Sequence, residues 1–146
     1  MLSDIFCPRH IKLNLESTTL TGVFEELVET ITRANPELDD RKLFEAVILR
    51  ESKMNTIVRP GIAMPHGYCS NVNGIIGAIG VSPAGIEYDE LNQPVHLFFM
   101  LLLDEVSREQ HLQVFNRLLE LFNSTAFSKI RNMKTPQDVH DLISRF

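Results

Sequence analysis

His66 lies between a proline and a glycine, and these neighbours restrict where its side chain can lie. Pro65 fixes its own φ and biases Met64 toward extended geometry, while Gly67 allows either a turn with positive φ or the close approach of a ligand. A neutral imidazole held in this way offers one nitrogen as a nucleophile, and a partner on the other nitrogen fixes the tautomer. The pattern suits the temporary attachment of a phosphoryl group, but it also fits an ordinary loop histidine.

Arg50 is predicted to lie at the end of a helix, followed by a polar loop that leads to His66. Asp39 or Asp40 caps this helix, and its apolar residues recur at helical spacing: Leu43, Phe44, Val47 and Ile48. An arginine in a last helical turn usually stays in solvent and complements the helix dipole. A planar guanidinium can also hold two oxygens of a phosphate at once. The residues alone leave both roles open for Arg50, and Glu51 either positions it or lies at the surface.

His111 is predicted to lie in the first turn of a helix that follows the most apolar stretch of the chain. That stretch, residues 95–103, is typical of a central strand buried on both faces. Ser107 and Gln110 form a capping-box pattern, and the helix carries these side chains inward: Leu112, Phe115, Leu118, Leu119 and Phe122. A histidine in a first turn is usually a surface residue, yet such a helix begins where open α/β folds build their sites. His111 is therefore a candidate site residue.

Several segments resemble one protein family: LFEAV at 43–47 with RE at 50–51, GIAMPHG at 61–67, NQPV at 92–95 and HL at 111–112. They resemble the enzyme IIA domain of the bacterial phosphoenolpyruvate-dependent sugar phosphotransferase system. The similarity is to the fructose/mannitol class, and within it to the stand-alone nitrogen-regulatory IIA proteins. Residues 56–60, TIVRP, depart from the glycine-rich Thr-Gly-Ile-Gly-Asn run of many members, so the loop beside His66 is expected to differ in shape.

The resemblance implies a phosphocarrier, a transferase-type component rather than an independent enzyme, whose catalytic residues are His66, Arg50 and His111. His66 would accept a phosphoryl group from a small histidine-phosphorylated carrier protein (HPr-like). It would pass the group to a downstream IIB domain or report its state to a regulated protein. Arg50 would lie beside His66 and offset the charge that develops during transfer, and His111 would contact the phosphorylated ring or the phosphate. No feature of the sequence identifies a sugar.

Strands and amphipathic helices alternate along the chain, which predicts an α/β fold. Residues 20–31 are predicted to form a helix that ends near Asn35, and residues 126–130 are predicted to form a short helix. Thr135 with Pro136 is predicted to open the last helix. Alternating apolar residues within 5–15 predict a strand or edge segment. Residues 75–81 are predicted to form a covered strand, and residues 86–94 an edge element with a loop. The resemblance adds a mixed, mostly parallel sheet of about five strands flanked by helices on both faces, in one domain spanning residues 1–146.

Composition and motifs argue against several classes of function. The chain has 146 residues, 44% of them hydrophobic, and lacks a Gly/Ser/Pro-rich linker, as expected for one domain. A net charge of −5 without a basic stripe argues against nucleic-acid binding. The apolar run at 97–103 is too short to span a membrane and the first residues lack a signal pattern, so we expect a cytoplasmic protein without direct membrane insertion. With no Walker loop, GxGxxG or HExxH motif, no cofactor or metal is expected.

Other nucleophiles in the sequence are weaker candidates. Cys69 is close to His66 along the chain, but the members of catalytic Cys/His pairs normally come from distant segments. An unrelated hydrolase would also need a base-orienter pair, which the sequence does not reveal. His10 and His140 are expected at the surface, and His96 is expected to be a packed or hydrogen-bonded strand residue.

The main alternative to a phosphocarrier is a regulatory protein-binding module. Such a module signals through protein contacts, and phosphorylation is dispensable for it. It also occurs as the cytoplasmic domain of a transporter or of a transcription activator. The departure at residues 57–60 favours this alternative somewhat.

Overall fold

A mixed six-stranded sheet forms the centre of the molecule in the computed structural model, which describes residues 1–88 and 93–146. The strand order is β1-β5-β6-β3-β2, and β4 also pairs with β6. The strands are β1 (Ile11–Lys12), β2 (Ile57–Arg59), β3 (Ile62–Ala63), β4 (His66–Tyr68), β5 (Ile75–Ile86) and β6 (Val95–Leu103).

Strand β6 is the axis of the sheet because it pairs with three other strands. It runs antiparallel to β5 from the Ile75–Leu103 pair to the Ile86–Val95 pair, and parallel to β3 and β4. β1 runs parallel to β5, and β2 forms an antiparallel hairpin with β3. The predicted mixed α/β fold is confirmed. Three of the five pairings are parallel, although the longest is antiparallel.

Helices cover both faces of the sheet, as predicted. They are α1 (Leu2–Ile5), α2 (Leu20–Ala34), α3 (Asp40–Glu51), α4 (Arg108–Asn123) and α5 (Pro136–Ile143), with 3₁₀ helices at Pro8–His10 and Ala126–Asn132. Alternate residues of β6 supply the two cores, since successive side chains of a strand point to opposite faces. Phe99 and Leu101 pack with α1, α4 and α5, whereas Phe98 and Met100 pack with α2 and α3.

Local capping fixes three helix starts where the sequence predicts them. Thr19 accepts a hydrogen bond from the Gly22 amide, and Thr135 accepts one from the Asp138 amide. Asp39 accepts hydrogen bonds from two amides in the first turn of α3, and the helix ends at Glu51. These caps satisfy amide groups that have no partner inside the helix. They set the position of α3 along the chain, and so the position of Arg50 in its last turn.

The N-terminal segment agrees with its prediction in part. Ile11–Lys12 forms a short strand at the edge of the sheet, whereas Ile5 ends a short helix. His10 is buried rather than exposed, because its Nδ1 donates to the Gly77 carbonyl at 3.0 Å while its Nε2 lies 2.9 Å from Nδ2 of Asn35. These bonds join segments far apart in the sequence, so local pattern did not indicate them.

The predicted edge element at residues 86–94 lies partly outside the described residues. Strand β5 continues to Ile86, and residues 89–92 are not described. His96 is partly buried, and its Nδ1 donates to the Ser82 carbonyl at 2.8 Å, as expected for a packed strand residue. Over residues 1–88 and 93–146, no helix combines the length and the apolar character that crossing a membrane requires.

Candidate functional site

His66 begins a short strand, whereas the sequence predicted a loop. β4 pairs in parallel with β6, with His66 opposite Leu101, and the buried Pro65 accepts a hydrogen bond from the Leu101 amide at 2.9 Å. The sheet therefore fixes the backbone on both sides of the histidine. The ring itself is partly exposed, so an incoming group can reach it.

Helix α3 lies so close to strand β4 that residue 67 has no room for a side chain. The glycines with positive φ are Gly61, Gly74 and Gly85, so Gly67 does not form the turn considered from the sequence. A Cβ atom at residue 67 would lie 2.7 Å from the backbone carbon of Ala46 and 2.8 Å from the Val47 nitrogen. The missing side chain lets β4 lie directly against α3, the helix that carries Arg50.

The hydrogen bond of the His66 ring identifies its tautomer. Nδ1 lies 3.0 Å from the Met64 carbonyl oxygen. Because a carbonyl oxygen only accepts, Nδ1 carries the proton and Nε2 of the neutral ring has a free lone pair. Burial lowers the pKa of His66, the Met64 bond opposes that shift, and the charge of Arg50 lowers the pKa further. The ring is therefore neutral near pH 7.

Two aromatic rings hold His66 from the sides. Phe115 of α4 meets it at a centroid distance of 5.8 Å, and Tyr68 of β4 meets it at 6.4 Å, both edge to face. Tyr68 is 52% exposed and also contacts His111, with a centroid distance of 6.0 Å. Tyr68 therefore links the two histidines. Sequence reasoning missed Tyr68 altogether and treated Phe115 only as a core residue.

Arg50 lies in the last turn of α3, the helix that packs directly against β4, and its charge lowers the pKa of His66, so the structure places these two predicted residues in the same region. One guanidinium nitrogen, Nη1, donates to the Met54 carbonyl at 2.9 Å. Within the part of the chain that the structure describes, the other guanidinium nitrogens have no hydrogen-bond partner. The free side of the guanidinium can therefore bind an anion, for which its planar fork is well suited.

Glu51 neither positions Arg50 nor lies at the surface, the two roles considered from the sequence. It is partly buried, and its carboxylate accepts hydrogen bonds from the Thr56 hydroxyl at 2.7 Å and the Thr56 amide at 3.3 Å. The Thr56 carbonyl in turn accepts from the Met64 amide at 2.8 Å. Met64 is the residue whose carbonyl holds the His66 ring. Glu51 thus anchors the segment that orients His66.

His111 is buried, only 5% exposed, and its Nε2 lies 3.0 Å from Oδ1 of Asp104. The helix begins after Ser107, but the Ser107 hydroxyl donates to Asp104 at 2.7 Å and does not cap the helix as the sequence predicted. Sequence reasoning missed Asp104. The available signal was an aspartate directly after the central strand and three residues before the helix cap position.

A cleft of about 510 Å³ opens beside His66 and His111. It is lined by Tyr68, Glu105, Arg108, His111, Leu112 and Phe115. Because Tyr68 and Phe115 also contact the His66 ring, the cleft adjoins that ring. The three predicted site residues thus come from the end of α3, the start of β4 and the first turn of α4, around one part of the surface.

The remaining candidates do not contribute a nucleophile or a metal ligand set. Cys69 is buried, and burial raises its pKa to about 11, which keeps the thiol protonated. Residues 57–59, where the sequence departs from the family pattern, form β2, and Arg59 donates to Asn123. Among residues 1–88 and 93–146, no three His, Cys, Asp or Glu side chains are grouped as a metal ion would require.

Comparison with a family model identifies the family of the chain. The model described as "phosphoenolpyruvate-dependent sugar phosphotransferase system, EIIA 2" matches residues 4–146. The chain belongs to this family. The resemblance drawn from the motifs around residues 50, 66 and 111 is thereby confirmed, while Asn92 of the third motif lies outside the described residues.

Individual EIIA 2 proteins extend the comparison. The chain is 35% identical over 122 residues to the PTS system fructose-specific EIIABC component of Bacillus subtilis, covering 82% of this chain but 19% of that protein. The nitrogen regulatory protein IIA-Ntr of Neisseria meningitidis has a similar crystal structure, with a TM-score of 0.88, 26% identity, and coverage of 97% of this chain and 98% of that one. Enzyme IIAMTL of Escherichia coli, in complex with phosphorylated enzyme IIBMTL, shares the fold, with a TM-score of 0.80, 16% identity, and coverage of 97% and 99%.

Proposed function

We propose that this EIIA 2 protein is a phosphocarrier in which Nε2 of His66 accepts a phosphoryl group and later passes it on. The observation that supports the proposal is the hydrogen bond from Nδ1 of His66 to the Met64 carbonyl, because it leaves the Nε2 lone pair free. The lowered pKa of His66 favours the same neutral state near pH 7. Membership of a family of the phosphotransferase system supports the same role.

The transfer needs only two imidazoles and the phosphoryl group. The bond between phosphorus and the donor's histidine nitrogen breaks while a bond from phosphorus to Nε2 of His66 forms. The electron pair of the broken bond returns to the donor imidazole, so neither water nor a further reactant is consumed. Transfer of this kind passes through a loose, in-line transition state, in which positioning and charge neutralisation do most of the catalysis.

Arg50 neutralises charge in this proposal. Its Nη1 is held by the Met54 carbonyl, and its free N–H groups bind oxygens of the phosphoryl group as the group moves between nitrogens. His111 contacts the phosphorylated ring or the phosphoryl oxygens from the other side. Its contact with Tyr68, whose ring also contacts His66, supports this role.

A phosphorylation assay tests the proposal. Incubation with phosphoenolpyruvate and the carrier proteins of the phosphotransferase system should add one acid-labile phosphoryl group, detected by intact-mass spectrometry. His66→Ala should take up none. His140→Ala is the matched control, because His140 contacts the Ser3 carbonyl of the N-terminal helix and should leave uptake unchanged. If His66→Ala still takes up the group, the assignment is wrong.

The proposed partners are those of the family to which the chain belongs. The donor is a small histidine-phosphorylated carrier protein (HPr-like) in the cytoplasm, and the acceptor is a downstream IIB domain or a regulated protein. The complex of enzyme IIAMTL with phosphorylated enzyme IIBMTL supports a IIB-type acceptor, because that IIA protein shares the present fold.

A regulatory role without obligatory transfer is the second candidate. The observation that favours it is the match along almost the full length of a nitrogen regulatory protein, which covers 97% of this chain and 98% of the other. A pull-down with wild type and with His66→Asp, which mimics the charge of phosphorylation, separates the two roles. A partner captured equally by both forms would show that phosphorylation is dispensable for binding.

A further inference from the structure

Asp104 collects hydrogen bonds from several neighbours directly after strand β6. Oδ1 accepts from the Ser107 amide at 2.9 Å, the Val106 amide at 3.3 Å and Nε2 of His111 at 3.0 Å. Oδ2 accepts from the Ser107 hydroxyl at 2.7 Å and the Gly74 amide at 3.1 Å. The side chain is almost completely buried. Its two oxygens therefore face only donors.

These contacts determine the protonation state of both partners. The hydrogen bonds from the Ser107 hydroxyl and from the Ser107 amide hold the pKa of Asp104 well below its usual range. The hydroxyl has the larger effect, and the group is therefore a carboxylate. A carboxylate only accepts hydrogen bonds, and Nε2 of His111 must therefore carry a proton. Nδ1 of His111 has no hydrogen-bond partner among the residues that the structure describes. It is the ring nitrogen that remains for another ligand.

The position of His111 connects this pair to the proposed site. His111 lines the cleft together with Tyr68 and Phe115, and both of those rings contact His66. The other charged groups along the cleft are Glu105 and Arg108, one of each sign. Asp104, in contrast, is buried, and its carboxylate contacts the imidazole of His111.

We propose that Asp104 is a positioning residue for phosphoryl transfer: its carboxylate fixes His111 with Nε2 protonated, so that Nδ1 is the atom available to the phosphoryl group on His66. This inference rests on the proposed phosphocarrier function. When Nδ1 carries a proton it can donate a hydrogen bond to a phosphoryl oxygen, and the carboxylate on Nε2 fixes the direction of that donor. Without Asp104 the ring is free to rotate or change tautomer, and the phosphoryl group loses an oriented donor.

Nuclear magnetic resonance of the imidazole nitrogens tests the first step. In wild-type protein labelled with ¹⁵N, Nε2 of His111 should be protonated, and Asp104→Asn should remove this preference. Asp141→Asn makes the same chemical change on the exposed side of α5 and should leave the His111 signals unchanged. Ser107→Ala keeps the carboxylate but removes one of its bonds. It should lower the Tm without changing the His111 tautomer. Finding Nε2 of His111 unprotonated in the wild type would overturn the inference.

A kinetic cycle tests the second step. Asp104→Asn should slow phosphoryl uptake from the phosphorylated carrier protein by at least about tenfold, as expected when a hydrogen bond to a charged group is lost. Asp104→Asn combined with His111→Ala should be no slower than His111→Ala alone, because Asp104 acts through His111. Equal rates for wild type and Asp104→Asn, or additive losses in the double variant, would overturn the inference. Wild-type protein that takes up no phosphoryl group would instead contradict the proposed function.

Discussion

At the scale of the residue, His66 combines a fixed tautomer with a nearby positive charge. The Met64 carbonyl holds Nδ1, and burial together with Arg50 lowers the pKa of the ring. Either effect alone is common. Together they leave a neutral Nε2 beside a cation that can stabilise a developing phosphate charge, which is the combination that phosphoryl transfer requires.

Replacing Arg50 by alanine should raise the pKa of His66. The charge of Arg50 disfavours the imidazolium of His66, so its removal shifts the pKa of that ring upward. A titration followed by nuclear magnetic resonance of the His66 ring measures the shift. The same variant should slow phosphoryl uptake, since the transition state loses its cation.

Arg41→Ala is the matched control for this titration. Arg41 lies on the same helix, is exposed, and pairs with Glu45 at 3.2 Å. Its removal changes the net charge by the same amount at a distance from the site. A pKa of His66 that moves equally in both variants would show that the overall charge, and not the position of Arg50, governs the ring.

At the scale of the element, the contact between α3 and β4 sets the spacing of Arg50 and His66. Gly67 lies against the backbone of Ala46 and Val47, with no room for a Cβ atom. Because the contacting atoms belong to a helix backbone, they cannot rotate away as a side chain would. The glycine therefore limits how closely Arg50 and His66 approach each other.

Gly67→Ala should destabilise the protein by about 2–3 kcal/mol, the upper part of the usual cost of forcing an extra methyl group into a packed core, because the overlapping atoms include helix backbone. It should also slow phosphoryl uptake, because relief of the overlap moves α3 away from β4. Urea unfolding and the phosphorylation assay measure the two effects.

Gly74→Ala provides the comparison for stability. Gly74 has a φ of +78°, so alanine is strained there, but an added Cβ atom would contact nothing within 4 Å. Its cost should be about 1 kcal/mol, from backbone strain alone. A Gly67→Ala protein as stable as Gly74→Ala would mean that the helix and strand separate more easily than the packing implies.

At the scale of the whole molecule, two helical layers enclose the sheet and bury polar groups that join distant segments. His10 is such a group, since it connects the N-terminal segment to β5 through Gly77 and to the end of α2 through Asn35. Burial lowers the pKa of His10 from 6.5, the Gly77 bond opposes the shift, and Arg9 adds to it. The neutral ring is the form that fits this junction.

The free energy of unfolding should therefore fall as the pH drops below about 6.5, the ordinary pKa of histidine. In that range the unfolded chain binds a proton at residue 10 while the folded chain does not. The loss continues until the pH reaches the lowered pKa of the folded state, with a slope of at most about 1.4 kcal/mol per pH unit for one group. Urea unfolding at a series of pH values measures the slope.

His10→Gln should reduce this slope, although His66, whose pKa is also lowered, retains part of it. His140→Gln serves as the control for a histidine replaced elsewhere. The comparison uses slopes rather than absolute stabilities, because His10→Gln also disturbs the buried hydrogen bonds. A slope identical to that of the wild type would exclude His10 as its source.

The sequence by itself determined features that depend on neighbours along the chain. The spacing of apolar residues located α2, α3 and α4, and the caps at Asp39 and Thr135 located two helix starts. The apolar run at 95–103 identified the central strand. These are local effects, because a helix turn or a strand alternation involves residues only a few positions apart. The motif around His66 was also local, and it indicated the family.

Only the tertiary structure decided features that depend on pairing between distant segments. The sequence predicted a polar loop between Arg50 and His66, yet residues 57–68 contain three short strands, because β6 provides hydrogen-bond partners for two of them. Gly67 reads as a turn residue until α3 is packed against it. Contacts of this kind join residues that the chain separates widely, so their physical cause, the folding of one segment onto another, leaves no periodic pattern in the sequence.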